Sequence, residues 1–169
     1  MLRPILKLGT AGLDKIAAPI AGIDSSTRQL IDDMIETMYA APGIGLAAPQ
    51  IGVAARVCVV DLSVGRTASD LMVLVNPEII ERSGMQLDEE GCLSVPGFTA
   101  SVLRPSRIVV RAADRDGVTR TLEGTGLLAR ALQHELDHLD GMLYVHRLRG
   151  IQRAAIERRV RRLVNRGQW

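Results

Sequence analysis

Apolar positions recur at helical spacing in three stretches of the chain. Leu30, Ile31, Met34, Ile35, Met38 and Tyr39 lay one apolar stripe along about four turns of helix. Asp24-Ser25-Ser26 supplies capping oxygens before it, and Pro42-Gly43 ends it. A second helix begins near Thr125 or Gly126 and runs to Leu139, with Leu128, Ala131, Leu132 and Leu136 among its apolar positions and Gly141 as its stop. A third covers about Ile151 to Val164, where Ile156, Val160, Leu163 and Val164 form a stripe among arginines. Between the first two helices the pattern turns β-branched. Arg56 to Leu62 and Leu71 to Ile80 read as strands, and Gly91 to Val95 as a short extended piece. Arg107 to Ala113 and Val118 to Leu122 read as a hairpin around Asp114-Arg115-Asp116-Gly117. Strands cluster instead of alternating with helices, which predicts an α+β fold of mainly antiparallel sheet. No repeat or low-complexity linker divides the chain, so residues 1–169 read as one domain.

One segment fits neither period. Pro42-Gly43-Ile44-Gly45-Leu46-Ala47-Ala48-Pro49-Gln50-Ile51-Gly52 holds three glycines and two prolines in eleven residues, which no regular helix accommodates. Its small side chains let another group approach the backbone closely.

Composition narrows the function classes. Only 2% of residues are aromatic, so the core is aliphatic and stacking platforms for single-stranded nucleic acid are lacking. The net charge of +2 predicts no strong nucleic-acid binding from the whole-chain field, and no sequence-specific nucleic-acid partner is expected. The charge is uneven, with eight arginines and a single acidic residue, Glu157, between Arg147 and Arg166. The start Met-Leu-Arg-Pro-Ile-Leu-Lys-Leu-Gly lacks the apolar core of a signal peptide, and no apolar run is long enough for a membrane span. Cys58 and Cys92 make no disulfide framework, so a reducing cytoplasm is the expected compartment.

The strongest chemical signal is Gln133-His134-Glu135-Leu136-Asp137-His138. One helical turn separates His134 from His138, so both imidazoles share a face at a spacing one metal ion bridges. Glu135 beside the first ligand can reach a metal-bound water and take its proton. A surface helix with incidental histidines is the bland alternative, and the Glu at the required place argues against it. A catalytic metal needs a third protein ligand. His146 reads as a surface or capping residue, and Asp137 as a group that orients a ligand or pairs with a cation such as Arg104. Cys92, in Glu90-Gly91-Cys92-Leu93-Ser94, is the better candidate, since a thiolate suits zinc or ferrous iron. Cys58, embedded in Arg-Val-Cys-Val-Val, reads as a small buried hydrophobe; for Cys92 the residues alone leave both readings open. Gln50 is equally open, between a solvated turn residue and an amide that donates to a developing oxyanion.

Three blocks stand in order: Gly43-Ile44-Gly45-Leu46-Ala47-Ala48-Pro49-Gln50, Glu90-Gly91-Cys92-Leu93-Ser94 and His134-Glu135-Leu136-Asp137-His138. Together they resemble the signature motifs of bacterial-type peptide deformylases over nearly the whole chain. The resemblance implies sheets packed around a central metal-binding helix, with N-terminal and C-terminal helices. It implies that Cys92, His134 and His138 bind one divalent metal, that Glu135 is the general acid/base, and that Gln50 and the Leu93 N–H stabilise the oxyanion. Ile44 and Gly45 would bind the peptide, their backbone taking it as an added strand. The implied metal is natively Fe2+, with Zn2+, Ni2+ or Co2+ as replacements. The implied reaction removes the formyl group from the N-terminal formyl-methionine of new polypeptides as formate. Ile44, Leu132 and the ring carbons of His134 are the expected walls of the methionine pocket. Thr99 departs from the arginine that many bacterial members carry there to hold the substrate backbone, and Leu103 stands where a proline is common.

The basic C-terminal helix is either a packed helix with a solvated face or, by the resemblance, a docking element for the ribosome. Competing readings of the motif are a metalloprotease, a metal-binding module without catalysis, and a cysteine nucleophile with histidine as base.

Overall fold

The computed structural model describes residues 1–169. It is α+β, with the element order α1 (Ser25–Ala40), β1 (Gly45–Ala47), β2 (Val57–Val60), β3 (Met72–Ser83), β4 (Gln86–Gly91), β5 (Thr99–Arg104), β6 (Arg107–Ala113), β7 (Thr119–Thr125), α2 (Gly126–Leu139) and α3 (Gly150–Asn165). No helix is long and apolar enough to cross a membrane.

Local chemistry explains where the elements begin and stop. Asp24 caps α1, its carboxylate accepting the Thr27 N–H at 2.8 Å. The stripe of α1 buries Ile31, Met34 and Met38 against Leu46, Val57, Val59 and Val75. The Gly- and Pro-rich segment forms the three-residue strand β1 and then a 3-10 turn, Ala48–Ile51, which Pro49 starts well because its ring presets φ. Gly141 ends α2 with φ +73°, and a Cβ there would press on the backbone of Asp14, so only glycine fits.

Strands β1-β2-β3-β6-β7 form one antiparallel sheet in that order, and β4-β5 a separate two-stranded ribbon. Helix α2 packs on β1, β2, β6 and β7, so it runs through the centre of the molecule. Every residue from Ala129 to Leu139 is buried, including Arg130, Gln133, His134, Glu135, Asp137 and His138. Burying six polar side chains on one helix is costly unless each finds a partner or a ligand.

Several boundaries differ from the periodic reading. The ribbon β4-β5 was not expected, because Gln-Leu-Asp-Glu-Glu-Gly looks too polar for a strand. It forms because Glu90 turns inward to buried guanidinium groups. Gly91–Val95 is not an extended piece: Gly91 closes β4, and the chain then turns, with Val95 N–H bonding Cys92 O at 2.9 Å. β3 runs three residues past Ile80, and β7 three past Leu122, since each pairs along the full length of β6. On α3, Ile156 and Val160 are buried as expected, but Val164 is exposed, because the helix outruns the cluster of Tyr144, Leu148 and Val95 that it covers.

Candidate metal centre and peptide cleft

Helix α2 presents His134 and His138 one turn apart, with ring centroids 5.0 Å from each other. The turn after β4 brings Cys92 to them from far along the chain. Ligand atoms of Cys92, His134 and His138 all lie within 4.8 Å of one another, and Cys92 Sγ is 3.2 Å from His138 Nε2. His146 is elsewhere: its Nδ1 accepts the Leu143 N–H at 3.1 Å, the capping role expected of it. Cys58 is fully buried in the core, and burial pushes its thiol well up.

The orientation of His134 is set from behind. Its Nδ1 donates to Glu90 Oε2 at 3.0 Å, leaving Nε2 toward Cys92. Burial alone would raise the Glu90 carboxyl, but the hydrogen bonds from Arg104 and His134 outweigh it and hold it at about 2. Arg104, completely buried, bonds Glu90 through Nε and Nη2 and Asp137 through Nη1 at 2.9 Å. Arg130 adds a bond to Glu90 Oε1 at 2.6 Å, and Arg147 holds Asp137 bidentately at 2.5 Å. The pairing of Asp137 with Arg104 matches the sequence reading. The partners Glu90, Arg130 and Arg147 were not foreseen. Their only trace in the sequence is that acids and arginines sit in otherwise structural segments.

The donor set fits a divalent metal ion. A thiolate and two imidazoles are ligands for zinc or ferrous iron. Burial first, then the neighbouring His134 and Arg104, push His138 well below its usual range. Glu135 Oε2 is buried without a partner in the protein, a polar atom that a filled centre with its water would help to satisfy. Burial also pushes the Glu135 carboxyl up to about 7, against the opposing charges of His134 and Arg104.

Gln50 is buried beside the ligands. Its Oε1 accepts the Ala47 N–H at 2.8 Å, which aims Nε2 at Ser94 Oγ (3.2 Å) and Cys92 Sγ (3.7 Å). The Leu93 N–H, in the turn after Cys92, donates to no group of the protein. In front of these groups opens a cleft of about 520 Å³, lined by Ile44, Gly45, Gln50, Cys92, Leu93, His134 and Glu135 among others. Two strand edges border it, since β1 pairs only with β2 and β4 only with β5. Leu132 is not a wall of the cleft: it is buried in the core beneath Gly124, and Leu127 and Ala131 line the cleft from α2 instead. Thr99 lines the rim, the cross-strand partner of Gly91.

Three protein ligands leave a divalent ion a free position, as catalytic rather than structural sites do. A buried carboxylate in the same cleft as these donors, with strand edges along its border, has the make-up of a metal-dependent hydrolase. The polypeptide deformylase family matches residues 2–154. The peptide deformylase of Acidobacterium capsulatum is 46% identical over 169 residues, covering 100% of this chain and 99% of its own. The crystal structure of a peptide deformylase from Legionella pneumophila superposes with a TM-score of 0.91 at 44% identity, covering 98% of this chain and 99% of that one. A peptide deformylase from Acinetobacter baumannii with Met-Ala-Ser bound has a TM-score of 0.81 at 36% identity, covering 88% of this chain and 99% of that one. The chain belongs to the polypeptide deformylase family, metal-dependent hydrolases that remove the formyl group from N-terminal formyl-methionine.

Proposed function

We propose that Cys92, His134 and His138 hold the metal and that Glu135 is the acid/base of deformylation. The observation that carries this is the placement of the Glu135 carboxylate, buried and unpaired, in the same cleft as the three ligand atoms. A divalent ion held there would lower the pKa of its bound water and polarise the formyl oxygen. Glu135 accepts the proton of the attacking water and later delivers it to the leaving amine. The Gln50 amide and the Leu93 N–H donate to the oxygen that gains negative charge. Gln50 is held for that task by its bond from Ala47. Ile44 and Gly45 offer the open edge of β1 to the peptide backbone, and Ile44, Leu127, Ala131 and His134 surround the methionine side chain.

The native ion is ferrous iron, with Zn2+, Ni2+ or Co2+ able to replace it in a thiolate and imidazole site. The substrates are N-formyl-methionyl nascent peptides in the cytoplasm. Residues 1–169 act as one catalytic domain, with α3 docking the protein to the ribosome through its exposed arginines. The Met-Ala-Ser bound to the Acinetobacter baumannii relative supports a short formyl-methionyl peptide as the assay substrate.

The deciding assay is formate release from formyl-Met-Ala-Ser by protein purified without oxygen, beside a chelated sample and a Glu135→Ala variant. Release that chelator and substitution both abolish is the expected result. A folded, metal-loaded wild type that releases no formate overturns the assignment.

A further inference from the structure

The β4-β5 ribbon exposes an apolar pair that no core cluster uses. Leu87 and Leu103 face each other in register across the ribbon, 64% and 57% exposed, and Met85 lies just beyond at 60%. Side chains alternate along a strand, so Leu87, Glu89 and Gly91 share one face of β4, opposite the face on which Glu90 meets Arg104 and His134. Pairing puts Thr99, Ser101 and Leu103 on that same face. The cleft already reaches Glu89, Gly91 and Thr99. The leucine pair therefore lies on the same surface as the cleft, beyond Gly91 and Thr99 and the exposed pair of Glu89 and Ser101.

We propose that Leu87 and Leu103 form a downstream subsite that takes an apolar side chain of the substrate polypeptide, on the order of six residues from its formylated end. The inference rests on the deformylase reading above, which places the formyl group at Cys92 and Glu135. A chain leaving that point across this face of the ribbon passes Gly91 and Thr99, then Glu89 and Ser101, then Leu87 and Leu103. Gly91 and Leu87 are four residues apart, about 13 Å along a strand. A tripeptide ends short of the pair, whereas a nascent chain reaches it. Exposed leucines directly opposite each other gain most when a third apolar side chain covers both. The occupant is thus the substrate's own downstream segment, because the surface is continuous with the site that fixes its first residue.

The test compares kcat/KM for three substrates: formyl-Met-Ala-Ser, an octapeptide carrying leucines at positions five to seven, and the same octapeptide with serines there. Wild type is expected to prefer the leucine octapeptide by roughly fourfold, the effect of burying about one CH₂ group on a surface that stays partly open. In a Leu87→Thr/Leu103→Thr variant, which keeps β-favouring residues, the preference should vanish while tripeptide turnover stays unchanged. Equal turnover of both octapeptides by wild type overturns the proposal, and so does a preference that survives in the variant. Sedimentation of wild type and variant covers the other occupant: a dimer lost with the leucines assigns the face to a second copy and overturns the subsite. Tripeptide turnover keeps the two readings apart, since its absence in metal-loaded wild type strikes at the deformylase assignment itself.

Discussion

Nδ1 of His134 donates to Oε2 of Glu90 at 3.0 Å, so the metal-facing nitrogen of this histidine is chosen by a residue 44 positions away. Replacing Glu90 by Gln keeps the shape but weakens that hydrogen bond. Metal affinity should fall about 10- to 100-fold, measured by chelator competition. Glu90→Ala should do more, because it leaves Arg104 and Arg130 buried without their carboxylate. A loss of about 3–5 kcal/mol in urea unfolding is expected. Unchanged metal affinity in the Gln variant would show that His134 needs no such support.

Gly45 has no side chain because Glu135 occupies that space. A Cβ at Gly45 would collide with the Glu135 carboxylate. Gly45→Ala should therefore fold and bind metal while displacing the proposed base. Turnover of formyl-Met-Ala-Ser is expected to drop on the order of 100-fold, the usual cost of an ångström of misplacement. Stability should change little by comparison, and a variant with near wild-type kcat would refute the contact.

Asp61 controls a pH response remote from the metal. It is completely buried, which by itself would raise its pKa. Tyr39 OH (2.6 Å), Ser63 N–H and Oγ–H (2.7 Å each) and Gly65 N–H (2.9 Å) outweigh burial and hold it at about 2. A carboxyl depressed on folding stabilises above its unfolded pKa, and that contribution disappears as pH falls through the folded value. The Asp61 contribution should thus be full at neutral pH and fade from about pH 4 down to about 2. Asp61→Asn is expected to cost about 1–3 kcal/mol at pH 7. The gap between variant and wild type should narrow as the pH approaches 3, in urea melts at several pH values. A constant gap would contradict the assignment.

Metal removal should expose one thiol. Cys58 is fully buried, whereas Cys92 is only partly so. The chelated, folded protein is expected to label at Cys92 alone, and the metal-loaded protein at neither site, as read by mass spectrometry. Labelling of Cys92 at the same rate in both states would argue against its ligation.

Ribosome docking is best tested on the surface of α3, not by deleting it. Ile156 and Val160 are buried against Tyr144 and Leu148, and Trp169 Nε1 bonds Leu8 O at 2.9 Å, so truncation would open a core cluster. Exchanging the exposed Arg158, Arg161 and Arg162 for Gln leaves that packing alone. Ribosome affinity and its salt dependence should both fall, with tripeptide turnover unchanged. Equal affinity would remove α3 as the docking element.

The sequence by itself determined the helices, the strands with alternating or β-branched residues, and the metal motif, because each is written in local spacing. The His134–His138 separation is one helical turn wherever that helix sits. That residues 42–52 form no regular α-helix follows from proline and glycine alone. Tertiary structure decided the rest. Whether Cys92 was a ligand or a buried hydrophobe, and whether Gln50 faced water or the ligands, depended on a β4 that the residues disguised as a polar loop. Leu132 lies two residues from His134, about 200° round α2, so it faces the core under Gly124 and not the cleft. The charged frame of Glu90, Arg104, Arg130, Asp137 and Arg147 is assembled across large sequence separations. Local periodicity carries no record of such partners, since a buried charge declares itself only when the counter-charge that permits its burial has been brought beside it.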